Sequence, residues 1–405
     1  MIVNQMEESS EMSGAAKISN RPTGRSLGSR FLRLSIAVAI AIIVLGSLEA
    51  GAWVQQYYKF GMLQNYRPIH LFDFYRFYRV NPEYGSETVR LNSTGFRNDE
   101  EITPAKPSNV IRIVMMGGST VWGSDAHLPF AGTIDNRDTM AAHLEAILNA
   151  QAVAQKRNVK VQVINAGIVG YLLFQDFIYF NHVIAHYHPD IVIAMDGHND
   201  LDALQFGLKP YHHMNQVVFE QGLNDPKLSD VYRELLRCLE SRSLFVRKVS
   251  NRFGEWMNQQ ALSDMWKRRY ERPPSEPQVA ASLAEYIDTV RRFDASVRVA
   301  GARALFVVQA EALGERHKSL TSTEKDIQQH WKPFLWLHTV VRDRLVAQLE
   351  QAGREHGIWT ANVSDTFKDA SGQVYLDYTH LSSYGSRLMA ERLANIIEKE
   401  VFKPL

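Results

Sequence analysis

A serine enclosed by small residues, in the stretch GGST at 117–120, stands directly behind the apolar run VIRIVMM at 110–116. A serine hydroxyl is a weak nucleophile until a neighbouring base takes its proton, and an imidazole is the side chain best suited to that work. His380 lies in DYTHLSSYG near the C-terminus, with Asp377 three residues before it. Asp377 can accept the other imidazole N–H, fixing the tautomer and stabilising the imidazolium that forms. The oxyanion of a tetrahedral intermediate needs donors already aimed at it. The backbone N–H groups of Ser119 and Gly170 and the side-chain amide of Asn199 can supply them, and glycine at 170 removes a side chain that would hinder close approach. Taken singly, each piece has a plainer reading: small residues after a strand form turns, and Ser382 can simply cap a helix. Their order along the chain carries the chemistry.

That order depends on the elements beneath it. Five short β-branched runs, at 110–116, 159–165, 190–196, 302–309 and 357–364, have the doubly apolar character of buried parallel strands. Helical patterns lie between and after them at Met140–Gln155, Phe174–His186, Val279–Ala300, Glu324–Gly357 (broken or kinked at Pro333) and Ser386–Lys399. Thr321 and Glu324 have capping-box spacing. The pattern predicts an α/β fold with three layers, a doubly wound five-stranded parallel sheet. Ligands of such sheets bind beyond the carboxyl ends of the strands. Ser119 follows the first strand, Gly170 the second, Asn199 the third, and Asp377 and His380 the last.

Serine, glycine, asparagine and Asp-x-x-His in this succession resemble the SGNH (GDSL-like) hydrolase superfamily. The resemblance implies a flavodoxin-like fold and a serine esterase in which Ser119, Asp377 and His380 form the triad and Ser119, Gly170 and Asn199 the oxyanion hole. The lead-in NSTGFRNDEE at 92–101, followed by RIVMMGGSTVWG, is similar to the membrane-anchored bacterial branch associated with cell-surface polysaccharides. O-acyl groups, acetyl above all, on a cell-surface or exported carbohydrate are the implied substrate. An O-acyltransferase with the same triad and a non-catalytic glycan-binding scaffold are the alternatives. The sequence departs from the family pattern in two places: Gly118 stands where the name-giving motif has aspartate, and His198 stands where a second glycine is frequent.

The apolar stretch Leu34–Leu48 extends to Val54 and follows a tail carrying Lys17, Arg21, Arg25, Arg30 and Arg33. Those cations favour a cytoplasmic tail at 1–33, a transmembrane signal anchor at 34–54 and an exported remainder in the bacterial inner membrane. A cleaved signal peptide, with Ala50-Gly51-Ala52 as its cleavage site, is the rival. Residues 55–108 then form a lead-in packing on the catalytic domain at 109–405, and 201–280 an insertion in it. The 45 basic and 44 acidic side chains nearly cancel, giving no reason to expect nucleic acid as a partner. One cysteine excludes an internal disulfide and a cysteine zinc cluster. His182, His186 and His188 lack the carboxylate of a metal motif and read as a helix end, and His212-His213 falls in the insertion. The chemistry calls for no cofactor and no metal. Basic and aromatic residues of the insertion, from Arg242 to Arg272, read as a solvated helix face or as contacts to anionic glycan or lipid headgroups.

Overall fold

The computed structural model describes residues 27–60, 69–86, 88–124, 134–205, 235–236, 238–240, 242–250, 252, 273–332 and 335–402. The chain divides into two compact units, one of Met1–Gln64 with Leu235–Phe253, the other of Asn65–Glu234 with Gly254–Leu405.

The smaller unit is built on α1, Leu27–Phe60. Its segment Arg30–Gln55 is long and apolar enough to cross a membrane, a test that an N-terminal signal sequence also meets. Glu49, in the second half of α1, accepts hydrogen bonds from Ser243 Oγ at 2.6 Å and from the N–H groups of Leu244 at 2.8 Å and Phe245 at 3.0 Å. Residues 244–250 are helical, so this carboxylate satisfies first-turn N–H groups that have no partner inside their own helix. Arg242, Arg247, Lys248 and Arg252 belong to this unit; His212-His213, Pro333, and the cations and aromatics expected at 253–272 lie outside the described residues.

The larger unit opens with an antiparallel pair, β1 (His70–Asp73) and β2 (Phe77–Val80), inside the stretch read as an irregular lead-in. Next come β3 (Val110–Gly117), α2 (Ser119–Trp122), α3 (Met140–Ala154), β4 (Lys160–Asn165), α4 (Leu173–His182), β5 (Ile191–Asp196) and α5 (His198–Gln205). The remainder is α6 (Glu276–Val299), β6 (Arg303–Val308), α7 (Ser322–His330), α8 (Arg342–His356), β7 (Trp359–Thr360) and α9 (Ser383–Val401). The five strands from β3 onward form one parallel sheet in the order β4-β3-β5-β6-β7. Alternation along the strands divides their side chains between two cores. Val114, Val192 and Phe306 pack with α4, α6 and α8 on one face, while Ile113, Ile193 and Leu305 pack with α3 and α9 on the other. The order reverses at β3, so the ends of β3 and β5 border the crevice where ligands of such sheets bind.

Three expected elements end early, each for a local reason. The fifth strand, expected over 357–364, keeps two residues because Asn362 Oδ1 accepts from the N–H of Ser364 at 3.0 Å and turns the chain. The helix expected to reach His186 stops at His182 and gives way to a 3₁₀ turn, Ile184–Tyr187, closed by His188 at φ +51° before Pro189. His182 stacks on Tyr75, its ring centroid 4.5 Å away. The expected helix Glu324–Gly357 is divided into α7 and α8, the latter entered through a π-helical turn at Leu337–Val341. At the start of α7 the Thr321–Glu324 capping box is formed, and Ser382 caps α9.

Candidate active site

β3 ends in two glycines because its end is crowded. A Cβ on Gly117 would stand 2.3 Å from the carbonyl oxygen of Met195 at the end of β5, and one on Gly118 would stand 2.5 Å from Asn199 Nδ2. The aspartate usual at the second position therefore has no room here unless Asn199 moves. The close approach also sets the Asn199 amide beside the residue preceding Ser119.

Ser119 is the first residue of α2. Its N–H therefore has no acceptor within the helix and stands at the positive end of the helix's peptide dipoles. Its Oγ lies 2.7 Å from His380 Nε2. His380 Nδ1 lies 2.7 Å from Asp377 Oδ2, and both side chains are 14% exposed. Asp377 Oδ1 also accepts the N–H groups of Thr379 at 2.8 Å and His380 at 2.6 Å. Burial alone would raise the Asp377 pKa, but the hydrogen bonds from the His380 ring, the charge of that ring and the two backbone donors hold it below the usual carboxylate range. An ionised carboxylate only accepts, so the proton of a neutral His380 resides on Nδ1 and Nε2 is left to accept from Ser119.

Asn199, in the first turn of α5, donates from Nδ2 to the carbonyl of Tyr171 at 2.7 Å. That carbonyl follows Gly170, whose φ of +81° is a conformation that suits glycine. The N–H of Tyr171 donates back to the Ile168 carbonyl at 3.1 Å, closing the turn around Gly170. Asp200 ties the two loops together, accepting from the N–H of Leu173 at 3.3 Å and that of Gly197 at 3.2 Å. Burial pushes its pKa up to about 7 against the opposing effect of those backbone donors. Below it, Asp176 and Asp196 are buried with no hydrogen-bond donor to either carboxylate among the described residues. Burial raises both pKa values well above the ordinary range.

Two groups around the site are not among the residues expected to act there. Arg97, from the stretch NSTGFRNDEE, is 1% exposed and donates to the carbonyls of Trp122 at 2.5 Å and Gly123 at 3.0 Å, at the end of α2. Beside Asn199, His198 and His338 are held between two carboxylates, with Glu311 against both Nδ1 atoms and Asp202 against both Nε2 atoms. Burial opposes protonation of His338, yet Glu311 and Asp202 raise its pKa to about 10. His198, Glu311 and His338 also form a group whose ligand-type atoms lie within 4.8 Å of one another. The arrangement suits ion pairs better than a cation, since each ring nitrogen already faces a carboxylate and the Arg342 guanidinium lies 3.4 Å from Glu311. The arginine at 97 left a signal in its flanking Gly-Phe and Asn-Asp residues. His198, Glu311 and His338 are too far apart in sequence to have left one.

No protein-family model matches the chain, and no curated protein matches it. Among solved structures, it is similar to Axe2, an acetylxylan esterase from Geobacillus stearothermophilus, at 14% identity and a TM-score of 0.36, over 73% of this chain and 97% of that one. The acetyl xylan esterase AlAXEase gives 9% identity and a TM-score of 0.36 over 71% and 100% of the two chains. LAE5, an alpha/beta hydrolase from the metagenome of Lake Arreo, gives 12% and 0.36 over 71% and 95%. TM-scores of this size mark likenesses too loose to assign an activity, which has to come from the chain's own geometry.

Proposed function

We infer that the protein is a serine ester hydrolase of the SGNH type that removes acyl groups, acetyl above all, from a cell-surface or exported carbohydrate. The observation that carries the reading is the unbroken relay from Asp377 through His380 to Ser119, two hydrogen bonds of 2.7 Å each. In this reaction His380 Nε2 takes the Ser119 proton as Oγ bonds to the ester carbonyl carbon. The oxyanion is met by the N–H of Ser119 and the Asn199 amide, with Gly170 assigned the third donor. As the intermediate collapses, the bond from the carbonyl carbon to the sugar oxygen breaks and His380 passes its proton to that oxygen, releasing the sugar hydroxyl and leaving acyl-Ser119. Water, deprotonated by the same imidazole, releases the acid and restores the serine.

The carbohydrate assignment draws on the resemblance of residues 92–123 to the polysaccharide-associated branch. α1 supplies the reading of a single-pass anchor in the bacterial inner membrane with the catalytic unit exported. Arg30 and Arg33, at its start, suit the cytoplasmic side.

Incubation with a fluorophosphonate, which phosphorylates activated serines, tests the core of the reading. Mass spectrometry should find one adduct, on Ser119, and chromogenic acetyl-ester turnover should be lost in step with it. An unlabelled Ser119 in a folded, full-length protein would refute the hydrolase reading. Acetyl transfer to an added sugar in preference to water would make the protein a transferase.

A further inference from the structure

We propose that Gln309, at the carboxyl end of β6, is a positioning residue that sets the hydrogen bond between Ser119 and His380. The proposal rests on the serine-hydrolase reading of that pair. The nucleophile and the base come from opposite ends of the chain, 261 positions apart. Something must fix the segment that bears one against the segment that bears the other.

Gln309 Nε2 donates to Thr120 Oγ1 at 3.2 Å and to Thr379 Oγ1 at 2.6 Å. Thr120 follows Ser119 and Thr379 precedes His380, so a single side-chain amide holds the immediate neighbours of both reacting groups. Thr120 Oγ1 completes a triangle by donating to the Thr379 carbonyl at 3.4 Å. That donation occupies the hydroxyl's one proton, so Thr120 must accept from Gln309. The amide therefore presents its NH₂ end to the threonines, and an amide nitrogen has the two N–H groups the bridge requires. Gln309, Thr120 and Thr379 are all buried, which keeps water from substituting for a lost bond.

The backbone of Gln309 is itself held. Its N–H donates to the Asp196 carbonyl at 3.0 Å, and its carbonyl accepts from Arg342 at 2.8 Å. The amide thus extends from a fixed point between β5 and α8 rather than from a free loop. Nothing in the reaction needs Gln309 to touch substrate. Its part is to keep Oγ and Nε2 at bonding distance, where a misplacement of about 1 Å costs on the order of 10²-fold in rate.

The test compares the parent with Gln309→Met, similar in length and without donors, Thr379→Val and the double variant. The second-order rate of fluorophosphonate labelling at Ser119 and the kcat and KM for a chromogenic acetyl ester are read. Both single variants should lower labelling and kcat, Gln309→Met by roughly 10²-fold, with KM nearly unchanged. The double variant should be little worse than Gln309→Met, because both remove the same bridge. Parent-like labelling by a folded Gln309→Met, or losses that multiply in the double variant, would overturn the proposal alone. Should Gln309→Met not fold, Thr379→Val carries the test, and a parent-like rate there overturns it. Failure of the parent itself to label brings down the hydrolase reading and this proposal together.

Discussion

Arg97 closes the C-terminal end of the helix that Ser119 opens, donating to the carbonyl of Trp122 at 2.5 Å. The same guanidinium reaches the carbonyls of Gly123, Thr88 and Ile134 and the side chain of Asn136. Burial lowers its pKa to about 10, which still leaves it charged at neutral pH. Arg97→Leu should cost at least about 3 kcal/mol in urea unfolding, since several buried carbonyls lose their donor. Arg97→Lys should recover little, because a point charge cannot span a fork of acceptors. A loss below about 1 kcal/mol for Arg97→Leu would show that water or other donors replace the guanidinium.

Asn199→Ala should lower kcat by roughly 10²–10³-fold with little change in KM, as expected of a donor that acts on the developing oxyanion. One N–H of Asn199 is committed to Tyr171, and among the described residues the other has no acceptor. A change confined to KM would instead make Asn199 a substrate-binding residue.

Asp377→Asn should be worse than Asp377→Ala. The amide can donate to Nδ1 and hold the imidazole in the tautomer that cannot accept from Ser119, a loss of about 10⁴-fold in the serine-protease case. Stopped-flow or steady-state ester hydrolysis of the two variants checks the ranking, and equal activity of parent and Asp377→Asn would require another orienting acid. Asp377 also has a consequence for stability. Its depressed pKa stabilises the fold above the unfolded value of about 3.9, and that contribution is lost as pH falls through the folded value.

Glu324 illustrates what local pattern can and cannot foretell. Its place three residues after Thr321 announced a helix start, and the capping box is there. Its other partners, the N–H groups of Val374 and Tyr375 and the ammonium of a fully buried Lys318, are set by tertiary packing and left no periodic trace. Ser119 and Asn199 could be placed for a related reason, whereas His380, far beyond the end of β7 at Thr360, was marked by the Asp377 three residues before it. A parallel sheet offers one edge for ligands, and residues just beyond apolar runs must fall along it. Gln309 and the His198–Glu311–His338 group could not be found that way, because each acts through contacts between segments that share neither period nor motif. The early end of the fifth strand was likewise decided by one side chain, Asn362, competing for the backbone. Glu324→Ala should destabilise the protein by about 3–5 kcal/mol by leaving the Lys318 charge buried and unpaired. A loss under about 1 kcal/mol in denaturant unfolding would show that Lys318 finds water on its own.

The carboxylates under the site set the direction of its pH dependence. Asp176, Asp196 and Asp200 have pKa values raised by burial well above the ordinary carboxylate range, to about 7 for Asp200. With no donor to Asp176 or Asp196 among the described residues, a proton shared between the two is what makes their proximity tolerable. Between about pH 3.9, where an unfolded aspartate ionises, and the folded values, the native state holds more protons than the unfolded one. Stability from these groups is therefore fully present below about pH 3.9 and is lost as pH rises through neutrality and beyond. Asp176→Asn removes one charge and supplies an amide N–H to Asp196, so Asp196 can ionise without a facing carboxylate. The parent should lose thermal stability between about pH 5 and pH 8, and Asp176→Asn should lose distinctly less, ending with the higher melting temperature at the alkaline end. The loops bearing Gly170 and Asn199 are joined through Asp200, so the variant should also keep a larger share of its ester-hydrolysis rate at alkaline pH. Melting curves whose pH slopes match in parent and variant would show that the three carboxylates do not hold their protons in the folded state.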